Sequence, residues 1–126
     1  MEPIRTGGCA CGAVRFEARG APKFIADCHC RDCRRASGAA FSTWVGFDTP
    51  NVQWRGHRTV NASSPGVQRG FCAICGSQLS YSGKQWAAET HLVIGAFDRT
   101  DDLVPDEDVN TGERLAWVCL DPRNKS

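Results

Sequence analysis

The residues best suited to chemistry are three cysteines crowded into six positions. Cys28, Cys30 and Cys33 are followed at once by Arg34 and Arg35. Cysteine thiolates are good zinc ligands, and a catalytic zinc takes three protein ligands and leaves its fourth position to water or substrate. The neighbouring cations would offset the negative charge of the thiolates and could pair with substrate carboxylates. We therefore expect an open metal site, with Arg34 and Arg35 as candidate substrate-binding residues.

Two further cysteine pairs could complete a second, closed site. Cys9 and Cys11 lie near the start of the chain, and Cys72 and Cys75 lie past its middle. Structural zinc takes four protein ligands, so the two pairs together complete one tetrahedral site and leave the central three for the open one. Glycines next to both pairs allow backbone amides to approach the sulfurs. The spacing thus predicts two zinc ions per chain.

Disulfides and redox switching are the alternative explanations for the chain's eight cysteines. The first six residues lack the apolar run of a signal peptide, and the cytosol keeps thiols reduced. A Cys-x-Cys pair is also poorly placed for a disulfide, because the Cβ atoms must come within about 3.5–4.5 Å at a dihedral angle near 90°. Metal binding is therefore favoured. Cys119 is left over among apolar residues and is predicted to be a core residue.

The length and net charge of the chain predict a single domain and argue against binding to nucleic acid or to membranes. The 126 residues suit a single domain spanning residues 1–126, with one core. Fifteen lysines and arginines against 14 acids give a net charge of +1, which provides no sequence-independent attraction to nucleic acid or to an acidic membrane. No stretch approaches the roughly 18 apolar residues of a membrane span. We expect a soluble, cytoplasmic protein with no nucleic-acid or membrane partner.

Short strands are the elements that must position the cysteines. Residues 13–18 alternate between apolar and polar side chains, which predicts a half-buried strand. Residues 23–27 form a second predicted strand that leads directly into the three central cysteines. Residues 39–47 are aromatic and β-branched and predict a central strand. Its Trp44 could wall the open site and bind substrate; the alternative is that this aromatic residue belongs to the core.

The remaining chain predicts more strands and very little helix. Residues 34–37 can form a turn or two of helix before Gly38, which suits a C-terminal cap. Residues 98–108 are acid-rich and are expected to form a solvated surface loop, and residues 115–120 form an apolar segment that ends the fold. Further short strands are predicted at residues 52–54, 58–62, 67–71, 78–81 and 90–97. The fold class predicted from these elements is mainly β.

Three cysteine motifs, in this order, resemble those of the glutathione-dependent formaldehyde-activating enzyme family, also called the centromere protein V type domain. The motifs are Gly8-Cys9-x-Cys11-Gly12, Cys28-His29-Cys30-x-x-Cys33-Arg34-Arg35-x-Ser37-Gly38 and Phe71-Cys72-x-x-Cys75-Gly76-Ser77-x-Leu79-x-Tyr81. The resemblance implies an antiparallel β fold of the Mss4-like (β-tent) type. It also implies a structural zinc on Cys9, Cys11, Cys72 and Cys75, and a second zinc on Cys28, Cys30 and Cys33.

Two functions are consistent with this resemblance. The first is a zinc-dependent carbon–sulfur lyase that joins or cleaves a small thiol, such as glutathione, and a small aldehyde, such as formaldehyde. Metal coordination deprotonates a thiol and so makes it a nucleophile. His29 and His91 are candidate acids or bases, or else structural hydrogen-bonding residues. The second function is a non-catalytic zinc-binding module in which both ions are architectural, and the sequence leaves both functions open.

Overall fold

The computed structural model describes residues 2–119 and is built mainly from short strands. The strands are β1 (Ile4–Gly8), β2 (Arg15–Arg19), β3 (Phe24–Cys28), β4 (Ser42–Asp48), β5 (Val52–Arg55), β6 (Thr59–Ser64), β7 (Val67–Phe71), β8 (Gln78–Gly83), β9 (Glu89–Val93) and β10 (Glu107–Val109). The described residues contain one α-helix, α1 (Arg31–Ser37), and no helix among them is long and apolar enough to cross a membrane. The predicted mainly β fold with little helix is confirmed.

The strands form two sheets. The smaller sheet has the order β1-β2-β5, and the larger has the order β10-β3-β4-β9-β8-β7-β6. All pairings are antiparallel except that of β10 with β3. Gly56 lies between β5 and β6, which belong to different sheets. Gly56 has a φ of +83°, and a Cβ there would lie 2.0 Å from the carbonyl oxygen of Ala13, so this crossing requires glycine.

The main core lies where the two sheets face each other. The alternation predicted for β2 is confirmed, because Phe16 and Ala18 are buried while Glu17 is exposed. The Phe16 ring makes an edge-on contact with Phe97, with 5.1 Å between ring centroids, an arrangement that aromatic pairs favour. The core residues are Phe16, Ala18, Ile25, Val45, Phe47, Val52, Leu92, Phe97 and Leu103.

Helix α1 is capped by Cys30 at its start and by Gly38 at its end. Cys30 has the extended backbone of an N-cap, and its sulfur accepts a hydrogen bond from the amide of Cys33 at 3.2 Å. Gly38 ends the helix with a φ of 74°, as predicted, and its amide donates to the carbonyl of Arg34 at 2.7 Å. Glycine adopts this left-handed conformation at little cost. Cys33 is the buried residue of the helix, which places it beside the end of β3.

The acid-rich segment is largely the exposed surface loop expected from the sequence, but some of its acids form ion pairs and its end forms a strand. Asp98 forms an ion pair with Arg15, and Asp102 binds Arg5 with 2.8 Å between carboxylate oxygen and guanidinium nitrogen. Its last part contributes to β10, which pairs with β3. The sequence did not predict β10 because a three-residue edge strand has no room for a periodic pattern, and its stability comes from the partner strand.

The prediction that Cys119 lies in the core is wrong, because this side chain is exposed. Val118, its neighbour, takes the buried position of the segment at 7% exposure. Residues 115–119 form turns and extended backbone instead of a strand, so no alternation buries the apolar side chains there. Leu120, the last residue of the predicted apolar segment, lies outside the described residues.

Candidate metal centres and the adjoining cavity

The four outer cysteines come together between the two sheets. Cys9 and Cys11 follow β1, and Cys72 and Cys75 follow β7. All four sulfur atoms lie within 4.8 Å of one another, and the thiols are free. Four thiols at this spacing match the donor set of a tetrahedral zinc. We call this group the four-sulfur cluster.

Ser77 links the two halves of the four-sulfur cluster. Its hydroxyl accepts a hydrogen bond from the amide of Ala10 at 3.0 Å and lies 3.2 Å from the sulfur of Cys75. This contact is the main reason that the pKa of Cys75 falls to about 5. A backbone hydrogen bond from Ala13 lowers the pKa of Cys11, but burial and the neighbouring thiols together raise it to about 11. The four sulfurs thus lie close enough to perturb one another's ionisation, and a divalent cation bound between them would stabilise all four as thiolates.

The three central cysteines form a second group, the three-sulfur cluster. Cys28 ends β3, Cys30 caps α1, and Cys33 lies in the first turn of that helix. Their sulfurs lie within 4.8 Å of one another, and no fourth cysteine, histidine or acid of residues 2–119 joins them. Cys28 and Cys33 are buried, whereas Cys30 is half-buried. Three soft donors without a fourth fit an open metal site.

Donors from distant segments approach two of these sulfurs. Asn110 Nδ2 donates to Cys28 Sγ at 3.3 Å, and Arg69 Nη2 donates to Cys33 Sγ at 3.7 Å. The pKa of Cys28 is lowered mainly by a hydrogen bond from Cys33. The pKa of Cys33 is raised by the same contact and by burial. Asn110 reaches its sulfur from a left-handed backbone with a φ of 56°, which asparagine tolerates better than most residues.

A cavity of about 450 Å³ opens beside the three-sulfur cluster. Its aromatic wall comprises Phe24, Trp44, Tyr81 and Trp86. The Trp44 side chain is 4% exposed and lies 5.8 Å from the ring centroid of Tyr81. The polar residues of the cavity are Asp32, Ser64, Arg69, Gln85, His91, Glu107 and Asn110. A small organic molecule could enter here, and its reactive group would then lie next to the sulfurs.

Arg34 and Arg35 do not line this cavity. They border a separate cavity of about 490 Å³, together with Arg31, Leu115 and Trp117. Sequence reasoning missed Arg69, which lines the cavity of the three-sulfur cluster and is only 8% exposed. The sequence favoured Arg34 and Arg35 because they directly follow Cys33. Arg69 lies on β7, 36 positions after Cys33, and only the folded chain brings it to this sulfur.

The two candidate histidines occupy different surroundings. His29 is fully buried, and its Nε2 lies 2.5 Å from Asp108 Oδ1 on β10; it does not line the cavity of the three-sulfur cluster. His91 does line that cavity, and its Nε2 lies 3.0 Å from Glu89 Oε1. Burial lowers the pKa of His91 although Glu89 opposes the shift, so its imidazole is neutral at pH 7. Of the two, His91 is the one placed to meet a bound molecule.

Comparisons with known proteins found, among their matches, a family model, two relatives and a solved structure of similar fold. The family model described as glutathione-dependent formaldehyde-activating enzyme matches residues 4–113. A Halomonas elongata protein named "Putative glutathione-dependent formaldehyde-activating enzyme" is 31% identical over 131 residues, covering 94% of this chain and 82% of that protein. A Schizosaccharomyces pombe protein named as an uncharacterized lyase is 29% identical over 80 residues, covering 64% of this chain and 58% of that protein. A crystal structure of a Rhodobacter sphaeroides protein shares the fold with a TM-score of 0.56 and 18% identity, covering 74% of this chain and 87% of that one.

Proposed function

Because the chain belongs to the glutathione-dependent formaldehyde-activating enzyme family, we propose that it is a zinc-dependent carbon–sulfur lyase. It forms or cleaves the carbon–sulfur bond between a thiol of the glutathione type and a small aldehyde such as formaldehyde. The observation that carries this proposal is the three-sulfur cluster, which has three donors and a cavity beside it. A purely architectural zinc site normally has four protein ligands and no cavity for a further one.

The donor sets fit zinc at both clusters. Thiolates are soft ligands, and clusters of three and four of them select zinc over magnesium or calcium. The four-sulfur cluster would hold a structural ion on Cys9, Cys11, Cys72 and Cys75. Cys28, Cys30 and Cys33 would hold the second ion, which when bound supplies a position where a substrate thiol is kept as its thiolate. Such thiol chemistry suits the reducing cytoplasm, where we propose that residues 1–126 work as a single domain.

The surrounding residues prepare the cavity for this chemistry. Trp44 and Tyr81 cover part of the cavity and keep bulk water away from the sulfurs. Three thiolates around a divalent ion would carry a net charge of about −1, which the nearby Arg69 guanidinium would offset. Arg34 and Arg35, next to the neighbouring cavity, are proposed partners for the carboxylates of an extended thiol.

Isothermal titration calorimetry with glutathione tests the proposal. We expect glutathione to bind zinc-loaded protein and release a proton, because a thiol must ionise to become a ligand. Cys30→Ala should abolish this binding. The matched control Cys119→Ala should leave it unchanged, because Cys119 is exposed and belongs to neither cluster.

The result of this titration also distinguishes a lyase from a non-catalytic zinc-binding module. If wild-type protein carries two zinc ions and yet binds no thiol, the second zinc is architectural and the protein is a structural or interaction module. If Cys30→Ala binds glutathione as well as wild type does, thiol binding takes place elsewhere and the three-sulfur cluster is not the active site.

A further inference from the structure

Arg69 is a buried cation without a carboxylate partner. It lies on β7, is 8% exposed, and forms no ion pair with any acid among residues 2–119. Removing a charge from water costs several kcal/mol unless the charge is paired. The partner that the structure provides is the sulfur of Cys33, 3.7 Å from Nη2. The Arg69 guanidinium is therefore held in place by a sulfur of the three-sulfur cluster.

One nitrogen of the Arg69 guanidinium is left without a hydrogen-bond partner. The guanidinium carbon lies 5.0 Å from the ring centroid of Tyr81, which holds the group in place. Nη1 is buried and donates to no atom of the described residues. Buried donors almost always have an acceptor, and Arg69 lines the cavity beside the three-sulfur cluster. An acceptor supplied by a bound ligand would meet this requirement.

We propose that Arg69 is a catalytic residue that binds the oxygen of the carbonyl substrate through Nη1 and stabilises the negative charge that develops on this oxygen. The inference rests on the proposed function. In the joining direction a sulfur electron pair forms the carbon–sulfur bond, the carbonyl π bond breaks, and its electron pair moves to the oxygen. The oxygen then takes a proton from water to give a hydroxyl group. Cleavage runs the same steps in reverse.

Arginine suits this task for two reasons. It stays protonated at every physiological pH, so it donates a hydrogen bond and a full charge without giving up a proton. A donor fixed before the reaction begins also costs no reorganisation when charge appears, and removing one such donor typically lowers kcat by about 10²–10³-fold. Nη2 on Cys33 and the ring of Tyr81 fix the guanidinium in this way.

The test compares two small thiols that differ in charge. Mercaptoacetate carries an anionic oxygen close to its sulfur, whereas ethanethiol has a similar size and no charge. If Arg69 Nη1 awaits an anionic oxygen near the sulfur position, zinc-loaded wild type should bind mercaptoacetate at least about tenfold more tightly than ethanethiol by calorimetry. Arg69→Met should abolish this preference, and Arg69→Lys should keep part of it because the charge remains.

Arg58→Met is the matched control. Arg58 is also a partly buried arginine, with Nη1 2.7 Å from Ser80 Oγ and its guanidinium carbon 4.1 Å from the ring centroid of Trp54. It does not line the cavity of the three-sulfur cluster, so this variant should keep the preference. Zinc content is measured for every variant, which separates loss of the anion-binding group from loss of the metal.

Each outcome decides the question. Equal affinity of wild type for the two thiols overturns the role of Arg69 without any variant, and so does a wild type that binds glutathione but neither small thiol. A wild type that binds neither of them and no glutathione refutes the proposed function itself. A preference that survives in metal-loaded Arg69→Met, or that disappears only in the Arg34→Ala Arg35→Ala double variant, also overturns it. Loss of zinc from both Arg69 variants while Arg58→Met keeps its metal would assign Arg69 a structural role.

Discussion

Replacing Cys72 with serine tests whether the four-sulfur cluster holds the two sheets together. Cys72 is 1% exposed, and its sulfur lies 3.8 Å from that of Cys11, which is 61 positions earlier in the chain. Serine is close to cysteine in size, so the packing changes little. Its hydroxyl is a far poorer zinc ligand than a thiolate. We therefore expect Cys72→Ser to lose the structural metal and much of its stability.

The size of the effect follows from the length of chain that the metal closes. A cross-link across about 60 residues restricts the unfolded chain by about 4 kcal/mol, taking the relation for disulfides as a guide. The three-sulfur cluster spans six positions, and the same relation gives only about 2 kcal/mol there. Domains of this size are stable by about 5–15 kcal/mol. Losing the long-range link should thus remove a large share of the stability, which leaves Cys72→Ser barely folded if the wild type lies near the lower end of that range.

Guanidinium unfolding followed by tryptophan fluorescence measures the effect, since the chain has four tryptophans. Zinc content is measured by mass spectrometry on the same samples. Cys119→Ser is the control for replacing a thiol, because Cys119 is exposed and outside both clusters. If Cys72→Ser retains two zinc ions and unfolds at the same denaturant concentration as the control, the structural role of this cluster is refuted.

Three further predictions concern the second cluster and the cavity. Cys30→Ala should stay folded with one zinc ion and a modest loss of stability, because its cluster closes only a short loop; complete unfolding would instead make this site architectural. Burial lowers the pKa of His91 from 6.5, so the free energy of unfolding should fall as pH drops below that value and the unfolded chain takes up the proton more readily. His91→Gln should reduce this slope relative to wild type in denaturant titrations, and an unchanged slope would exclude the histidine as its source. Gly46→Ala should cost roughly 1–3 kcal/mol, because a Cβ there would lie 2.1 Å from the ring of Phe24. Gly95→Ala, which meets nothing within 4 Å, is its control, and equal unfolding midpoints would contradict the expected clash.

Much of the fold could be predicted from local patterns. The alternation around Phe16 predicted β2, and Gly38 marked the end of α1, because each depends on residues close in sequence. The grouping of cysteines into four and three came from ligand counting, and the structure brings the sulfurs together in those two groups. β10 could not be predicted, since it is stabilised by its pairing with β3 rather than by its own composition.

The three cysteines of the three-sulfur cluster are close together in sequence, but the residues that surround their sulfurs come from distant parts of the chain. Asn110 reaches Cys28 from 82 positions away, and Arg69 reaches Cys33 from 36 positions away. Asn110 follows β10, the neighbour of β3, whereas Arg69 lies on β7 and meets Cys33 on α1, so no spacing rule along the sequence could locate these donors. Three adjacent cysteines can bind a metal wherever they occur. Which charge faces them, and hence which substrate atom could be stabilised, depends on Arg69, which the fold brings to Cys33 from β7.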